Sequence, residues 1–155
     1  LNIIPNSMGN LQLKSSAFKP NESIPAKFTC DGENINPLFE IKGVPENAKS
    51  LVLIMDDPDA TRGVTWDHWL VFNMEPYITN IEENKIPNAL LGTNDFDELR
   101  YMGPCPEVGS HKYYFRIYAL DTMLSVEEGI MRNELDNLMA GHILAKGELY
   151  GTYSR

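Results

Sequence analysis

Ten prolines and eleven glycines cut this 155-residue chain at short intervals, leaving runs of Val, Ile, Phe, Tyr and Thr between them. Such runs, about four to eight residues long and ending at turn formers before a helix can grow, dictate a many-stranded β fold. Candidate strands are Leu11–Lys14, Ala26–Thr29, Leu38–Ile41, Leu51–Met55, Trp69–Asn73, Tyr113–Leu120 and Gly147–Tyr150, with turns at Asp31-Gly32 and from Gly43 to Pro45. This strand count points to a sandwich. Leu51–Met55 and Trp69–Phe72 are apolar without alternation, as in strands covered on both faces, and are expected at the centre. Ala26–Thr29 and Leu38–Ile41 mix polar and apolar positions and read as half-exposed. One segment has a helical period instead. Ser125 and Glu128 are spaced as a capping box, and Met131, Leu135, Leu138 and Met139 recur before Gly141, which predicts a helix over Val126–Ala140 packed on the sheet edge. Between Pro76 and Leu99 the apolar period fades into a long connection of the kind that is functional or mobile.

The length suits a single domain over 1–155, with an N-terminal extension at 1–10. An apolar share of 43% supports a core and excludes disorder. No apolar run nears the ~20 residues of a bilayer-spanning helix, so an integral membrane protein is not expected. Thirteen basic against 22 acidic residues give a net charge of −9, which opposes binding to nucleic acid or to an anionic lipid surface. Cys30 and Cys105 are too few for a disulfide framework and lack Cys-x-x-Cys spacing, so two free thiols are the expectation. The reading is a cytoplasmic protein, with an exported form as the alternative because Leu1 rather than Met stands first.

Three places carry chemistry-bearing residues. His68 stands in Trp66-Asp67-His68-Trp69 and His111 in Gly109-Ser110-His111-Lys112-Tyr113, both beside predicted strands. Leu51–Met55 runs into Asp56-Asp57-Pro58-Asp59 where an apolar run leaves the core, a setting in which pockets form. Asp56 and Asp59 read as a solvated acidic turn, while Asp57 is the candidate site carboxylate. The segment Gly103-Pro104-Cys105-Pro106-Glu107-Val108-Gly109 is stiff without being helical, and such a loop holds backbone N–H groups in fixed directions suited to an anion. The sequence has no Gly-x-Ser-x-Gly elbow, His-Glu-x-x-His, phosphate loop or dinucleotide fingerprint. No catalytic residue, metal site or cofactor is therefore assigned. Nothing in the wide spacing of two histidines and a carboxylate demands a facial metal triad, and Cys105 between two prolines has no evident base.

Asp56-Asp57-Pro58-Asp59-Ala60, His68-Trp69, Gly103-Pro104-Cys105-Pro106, Gly109-Ser110-His111-Lys112-Tyr113 and Tyr118-Ala119-Leu120 resemble the phosphatidylethanolamine-binding (Raf kinase inhibitor-like) protein family, nearest its short bacterial and archaeal branch. The likeness extends through Cys30-Asp31-Gly32-Glu33-Asn34, Asn94-Asp95-Phe96 and Gly141-His142-Ile143-Leu144-Ala145, almost the whole chain. It implies a Greek-key β-sandwich with one or two helices and a small anion pocket at one end. Its ligand-binding residues would be Asp57, Trp66, His68, Gly103, Pro104, His111 and Tyr113. The resemblance also implies binding without turnover, of phosphate or a phospholipid head group, inhibition of kinases or proteases in several members, and frequent homodimers. Thr61, Glu107 and Lys112 depart from the usual proline, proline and arginine. The chain ends at Arg155 without the C-terminal helix of animal members, so kinase inhibition transfers weakly. On this reading His68 and His111 donate to the anion, the Gly103 loop and the Tyr113 hydroxyl add bonds, and Asp57 orients one imidazole. Two other readings compete: an interaction protein using the Pro76–Leu99 connection or the pocket rim, and a phosphoryl hydrolase with an Asp57 and histidine pair as base and orienter.

Overall fold

A computed structural model describes residues 10–60 and 63–155. The expected extension at 1–10 thus falls, but for its last residue, outside the described residues, as does the departure at Thr61.

Eight strands and one α-helix form two antiparallel sheets among the described residues. Strands β1 (Gln12–Lys14), β2 (Phe39–Lys42) and β5 (Asn80–Ile81) make the smaller sheet, in the order β1-β2-β5. The larger sheet contains β3 (Ser50–Asp57), β4 (Trp66–Met74), β6 (Leu90–Leu91), β7 (Ser110–Leu120) and β8 (Ile143–Ser154), in the order β6-β4-β3-β7-β8. The uninterrupted apolar run places β3 at the middle of that sheet, with every residue from Ser50 to Asp57 buried.

Both faces of the larger sheet are covered, and the alternation along each strand decides which side chain goes where. Leu51, Leu53 and Met55 of β3 join Phe115, Ile117 and Ala119 of β7 and meet Leu13, Phe39, Ile41 and Ile81 of the smaller sheet in one core. Val52, Ile54, Leu70, Phe72 and Leu120 face the other way and are covered by helix α1 (Arg132–Met139) through Leu135 and Met139. The helix therefore packs on the outer face of the sheet rather than on its edge. It is also shorter than the sequence suggests, because the expected cap is used elsewhere: Glu128 accepts a hydrogen bond from the Leu91 N–H at 3.0 Å, and Met131 stands at the N-cap without a side-chain bond.

Two further expectations are corrected. Ala26–Thr29 is a 3-10 turn over Ala26–Phe28, closed by the Thr29 hydroxyl donating to the Ala26 carbonyl at 2.9 Å, and not a strand. Cys30 and Cys105 are joined in a disulfide rather than free. The Pro76–Leu99 connection holds the two short strands β5 and β6, which the sequence pattern did not single out. No helix among the described residues is long and apolar enough to cross a membrane.

Candidate functional site

The inner-face register of the larger sheet continues past the apolar core. Asp57 follows Leu53 and Met55 on β3, while His111 and Tyr113 precede Phe115 on β7, so the same alternation that buries the core aims these side chains toward one end of it. On β4 the alternation is broken on purpose. Met55 pairs with Trp69 and Asp56 pairs with Asp67, which leaves His68 as an extra residue opposite no partner, a β-bulge. Such an insertion re-aims a side chain, and here it turns both His68 and Trp66 toward Asp57 and Tyr113.

These residues line a cavity of about 400 Å³, walled by Asp57, Trp66, His68, His111 and Tyr113 and completed by Ala60, Phe96, Cys105, Pro106 and Glu107. Tyr113 stands between the two imidazoles: the His68 ring meets it edge-on at 5.4 Å and the His111 ring is stacked on it at 6.2 Å. Phe96 meets His68 at 5.2 Å and Trp66 at 5.8 Å, both edge-on. His111 Nδ1 donates to Asp57 Oδ2 at 2.7 Å, and the other carboxylate oxygen accepts the Asp59 N–H at 2.8 Å. His68 Nδ1 donates to the Met102 carbonyl at 2.6 Å. Burial lowers the His68 pKa below 6.5, outweighing the Met102 and Gly103 carbonyls and the Asp57 charge, which act upward. The Tyr113 hydroxyl is pushed well above its usual range by burial, reinforced by the Asp57 charge and opposed by a backbone hydrogen bond from Cys105, so it stays protonated.

Gly103 and Pro104 stand behind the wall rather than on it. The Gly103 N–H donates to Asn34 Oδ1 at 2.8 Å, and the Pro104 carbonyl accepts the Cys30 N–H at 3.1 Å. The Cys30–Cys105 disulfide and the Tyr101 hydroxyl, which donates to the Phe28 carbonyl at 2.7 Å, add to this attachment. The loop thus docks on the 28–34 segment with its backbone, and Cys105 and Pro106 face the cavity. Phe96 and Glu107 are further lining residues that the chemistry of the sequence did not assign to the site. The one signal for Phe96 is Asn94-Asp95-Phe96, where the buried Asn94 bonds four backbone groups and fixes the loop. Asp56, expected in a solvated turn, is instead 1% exposed on the opposite face of β3. There it accepts both Arg116 Nε and Nη2 at 3.0 Å and Arg132 Nη1 at 3.0 Å. Among the described residues no group of three or more His, Cys, Asp or Glu side chains is arranged to hold a metal ion.

Residues 14–154 match the sequence profile of the phosphatidylethanolamine-binding protein family. This chain belongs to that family. Within it, a UPF0098 protein of Methanothermobacter thermautotrophicus is 47% identical over 152 residues, covering 94% of this chain and 99% of the relative. Among solved structures, a phosphatidylethanolamine-binding protein homologue from Chlamydia trachomatis superposes with a TM-score of 0.91 at 43% identity, covering 94% of this chain and 98% of its own. YbcL of E. coli, described as a member of the mammalian branch of this family, superposes with a TM-score of 0.88 at 28% identity, covering 95% of this chain and 99% of its own. Family and fold therefore agree with the resemblance drawn from the Asp57, His68, Gly103 and His111 segments.

Proposed function

We propose that this family member is a non-enzymatic binder of small anions, with phosphate and phosphoryl head groups of the phosphoethanolamine kind as its ligands. The observation that supports this reading is the convergence of His68, His111 and the Tyr113 hydroxyl on a single cavity. The net charge of −9 opposes the approach of an anion at long range. Salt screens that repulsion beyond a Debye length of roughly 8 Å, whereas donors inside a partly dry cavity are barely screened. Asp57 would repel phosphate by itself. Bound to His111 Nδ1–H it acts instead as an orienter that fixes the His111 ring at the cavity wall.

Calorimetric titration with inorganic phosphate and with phosphoethanolamine tests the reading. Binding of both is expected to be mostly lost in His111→Ala. Undiminished affinity in His111→Ala would reject the histidine role. Release of phosphate from a panel of phosphomonoesters would replace the binder with a hydrolase.

A second reading, inhibition of a kinase or protease through surface loops, is favoured by the apolar side chains that the Pro76–Leu99 connection leaves exposed, Tyr77 and Ile86. Its mark is affinity for such a partner that survives His111→Ala.

A further inference from the structure

The two imidazoles of the cavity face a ligand with different hydrogen-bonding character. A carbonyl oxygen only accepts, so His68 Nδ1, 2.6 Å from the Met102 oxygen, must carry the hydrogen. The neutral ring then presents Nε2 as a bare lone pair. Burial supports the neutral form by disfavouring a second proton. Among the described residues Nε2 makes no hydrogen bond, and Trp69 Nε1 is the one side-chain nitrogen or oxygen there that is both fully buried and unpartnered. The ring itself lines the cavity. Asp57 is an acceptor as well, but its two oxygens are engaged by His111 and by the Asp59 N–H. The Tyr113 hydroxyl can donate from the ring between the two imidazoles. A ligand held here therefore meets a donor at Tyr113 and, against the expectation that His68 donates, an acceptor at His68.

Resting on the anion-binding reading above, we propose that His68 determines the specificity of the cavity: it selects an oxyanion that brings its own hydrogen. Hydrogen phosphate donates its P–OH to His68 Nε2. Sulfate matches it in shape and charge but has no O–H, and sets only lone pairs against the ring. To be held, sulfate must draw a proton from solution onto His68. At pH 7.5, a unit or more above the ring's own titration, that costs about tenfold or more in affinity. The phosphodiester of a common membrane lipid has no P–OH either, so the same nitrogen separates free phosphate from a diester head group.

Isothermal titration calorimetry at pH 7.5 and fixed ionic strength tests this with three probes: inorganic phosphate, sulfate, and dimethyl phosphate as the diester head-group mimic. Phosphate is expected to bind about tenfold or more tighter than either competitor. In His68→Asn, whose amide can still donate toward Met102 but puts nothing in place of Nε2, the preference is expected to fall toward parity. Equal affinity of sulfate or dimethyl phosphate for the unaltered protein overturns the proposal and leaves the anion-binding reading standing. Failure of all three probes to bind overturns that reading and the proposal with it. Should His68→Asn not fold, the nitrogen-15 shift of His68 Nε2 in the unaltered protein decides. A lone-pair nitrogen that becomes a hydrogen-bond acceptor when phosphate is added supports the selection, and an N–H nitrogen in the free protein overturns it.

Discussion

Asp56 and Asp57 are consecutive in β3 and serve opposite faces of one sheet: Asp57 holds His111 inside the cavity, and Asp56 holds Arg116 and Arg132 beneath helix α1. The two carboxylates sit one peptide apart, yet each has its own cationic or imidazole partner and neither has to share. Alternation along a strand produces this division without any special device. It lets one end of β3 carry a ligand site on one side and a structural ion cluster on the other.

The ion cluster should make stability depend on pH through Asp67. Burial pushes its carboxyl up to about 6, more than the attraction of Arg132 pulls it down, with the nearby charges of Asp95 and Asp56 adding to the rise. The folded protein then holds this proton more tightly than the unfolded chain, whose carboxyl titrates near 3.8. The resulting stabilisation is complete below the unfolded value and is lost as the pH rises through about 6. A carbon-13 titration of the Asp67 carboxyl should show a midpoint near 6, and Asp67→Asn should flatten the fall in stability across the same interval. A midpoint in the ordinary range of aspartate would contradict this.

Asn94→Ala should cost about 2–4 kcal/mol, because it strands four backbone groups at once, one buried and three partly buried. The side chain is 1% exposed, donates to the His68 and Arg100 carbonyls at 3.1 and 2.9 Å, and accepts the Phe96 and Glu98 amides at 2.9 and 3.0 Å. Chemical denaturation measures the loss. Hydrogen exchange at Phe96 and Glu98 should accelerate beyond what the global change explains.

Two glycines in the same loop should respond differently to alanine. At Gly103 an added Cβ would lie 2.0 Å from the Phe28 carbonyl oxygen, a backbone atom that cannot step aside, so Gly103→Ala should cost roughly 2 kcal/mol or more and loosen the cavity wall. Gly109 has a φ of +82° and open space around its Cβ position, so Gly109→Ala should cost only the left-handed strain, about 1–2 kcal/mol, with anion affinity retained. Melting curves and phosphate titrations on the pair separate the two effects.

Replacing Cys30 and Cys105 together with Ser should destabilise the fold by about 2–4 kcal/mol. In a domain of this size that is a fall of roughly 5–15 °C in Tm. The bond closes a span of 75 residues, and the freed unfolded chain gains the entropy of that loop. An unchanged Tm would mean that the Gly103–Asn34 and Tyr101–Phe28 hydrogen bonds suffice to dock the loop.

Much of the larger sheet was legible in the sequence because a strand buried on both faces announces itself as an unbroken apolar run, as Leu51–Met55 and Trp69–Phe72 do. Asp57, His68 and His111 stood out for a related reason: polar groups directly beside such runs must go somewhere specific. The errors share a physical cause, namely partners distant in the chain. The apparent capping box at Ser125 and Glu128 failed because Glu128 finds the Leu91 amide, and Ala26–Thr29 became a 3-10 turn that the 103–105 segment packs against. The disulfide joins cysteines with no local spacing signal. Phe96, Pro106 and Glu107 reach the cavity through loop geometry that no periodicity encodes, and the bulge at His68 becomes visible only once Met55 and Asp56 are paired with their partners.

The Cys30–Cys105 bond also changes what a single cut in the backbone would do. A protease acting at the exposed Ile86 would sever the chain between β5 and β6, sending Asp57, Trp66 and His68 to one fragment and Phe96, His111 and Tyr113 to the other. The fragments would stay covalently tethered, with β3 still zipped to β7 across the break. Such a nicked molecule would migrate as one species until a reductant was added, and would keep both halves of its binding cavity in register.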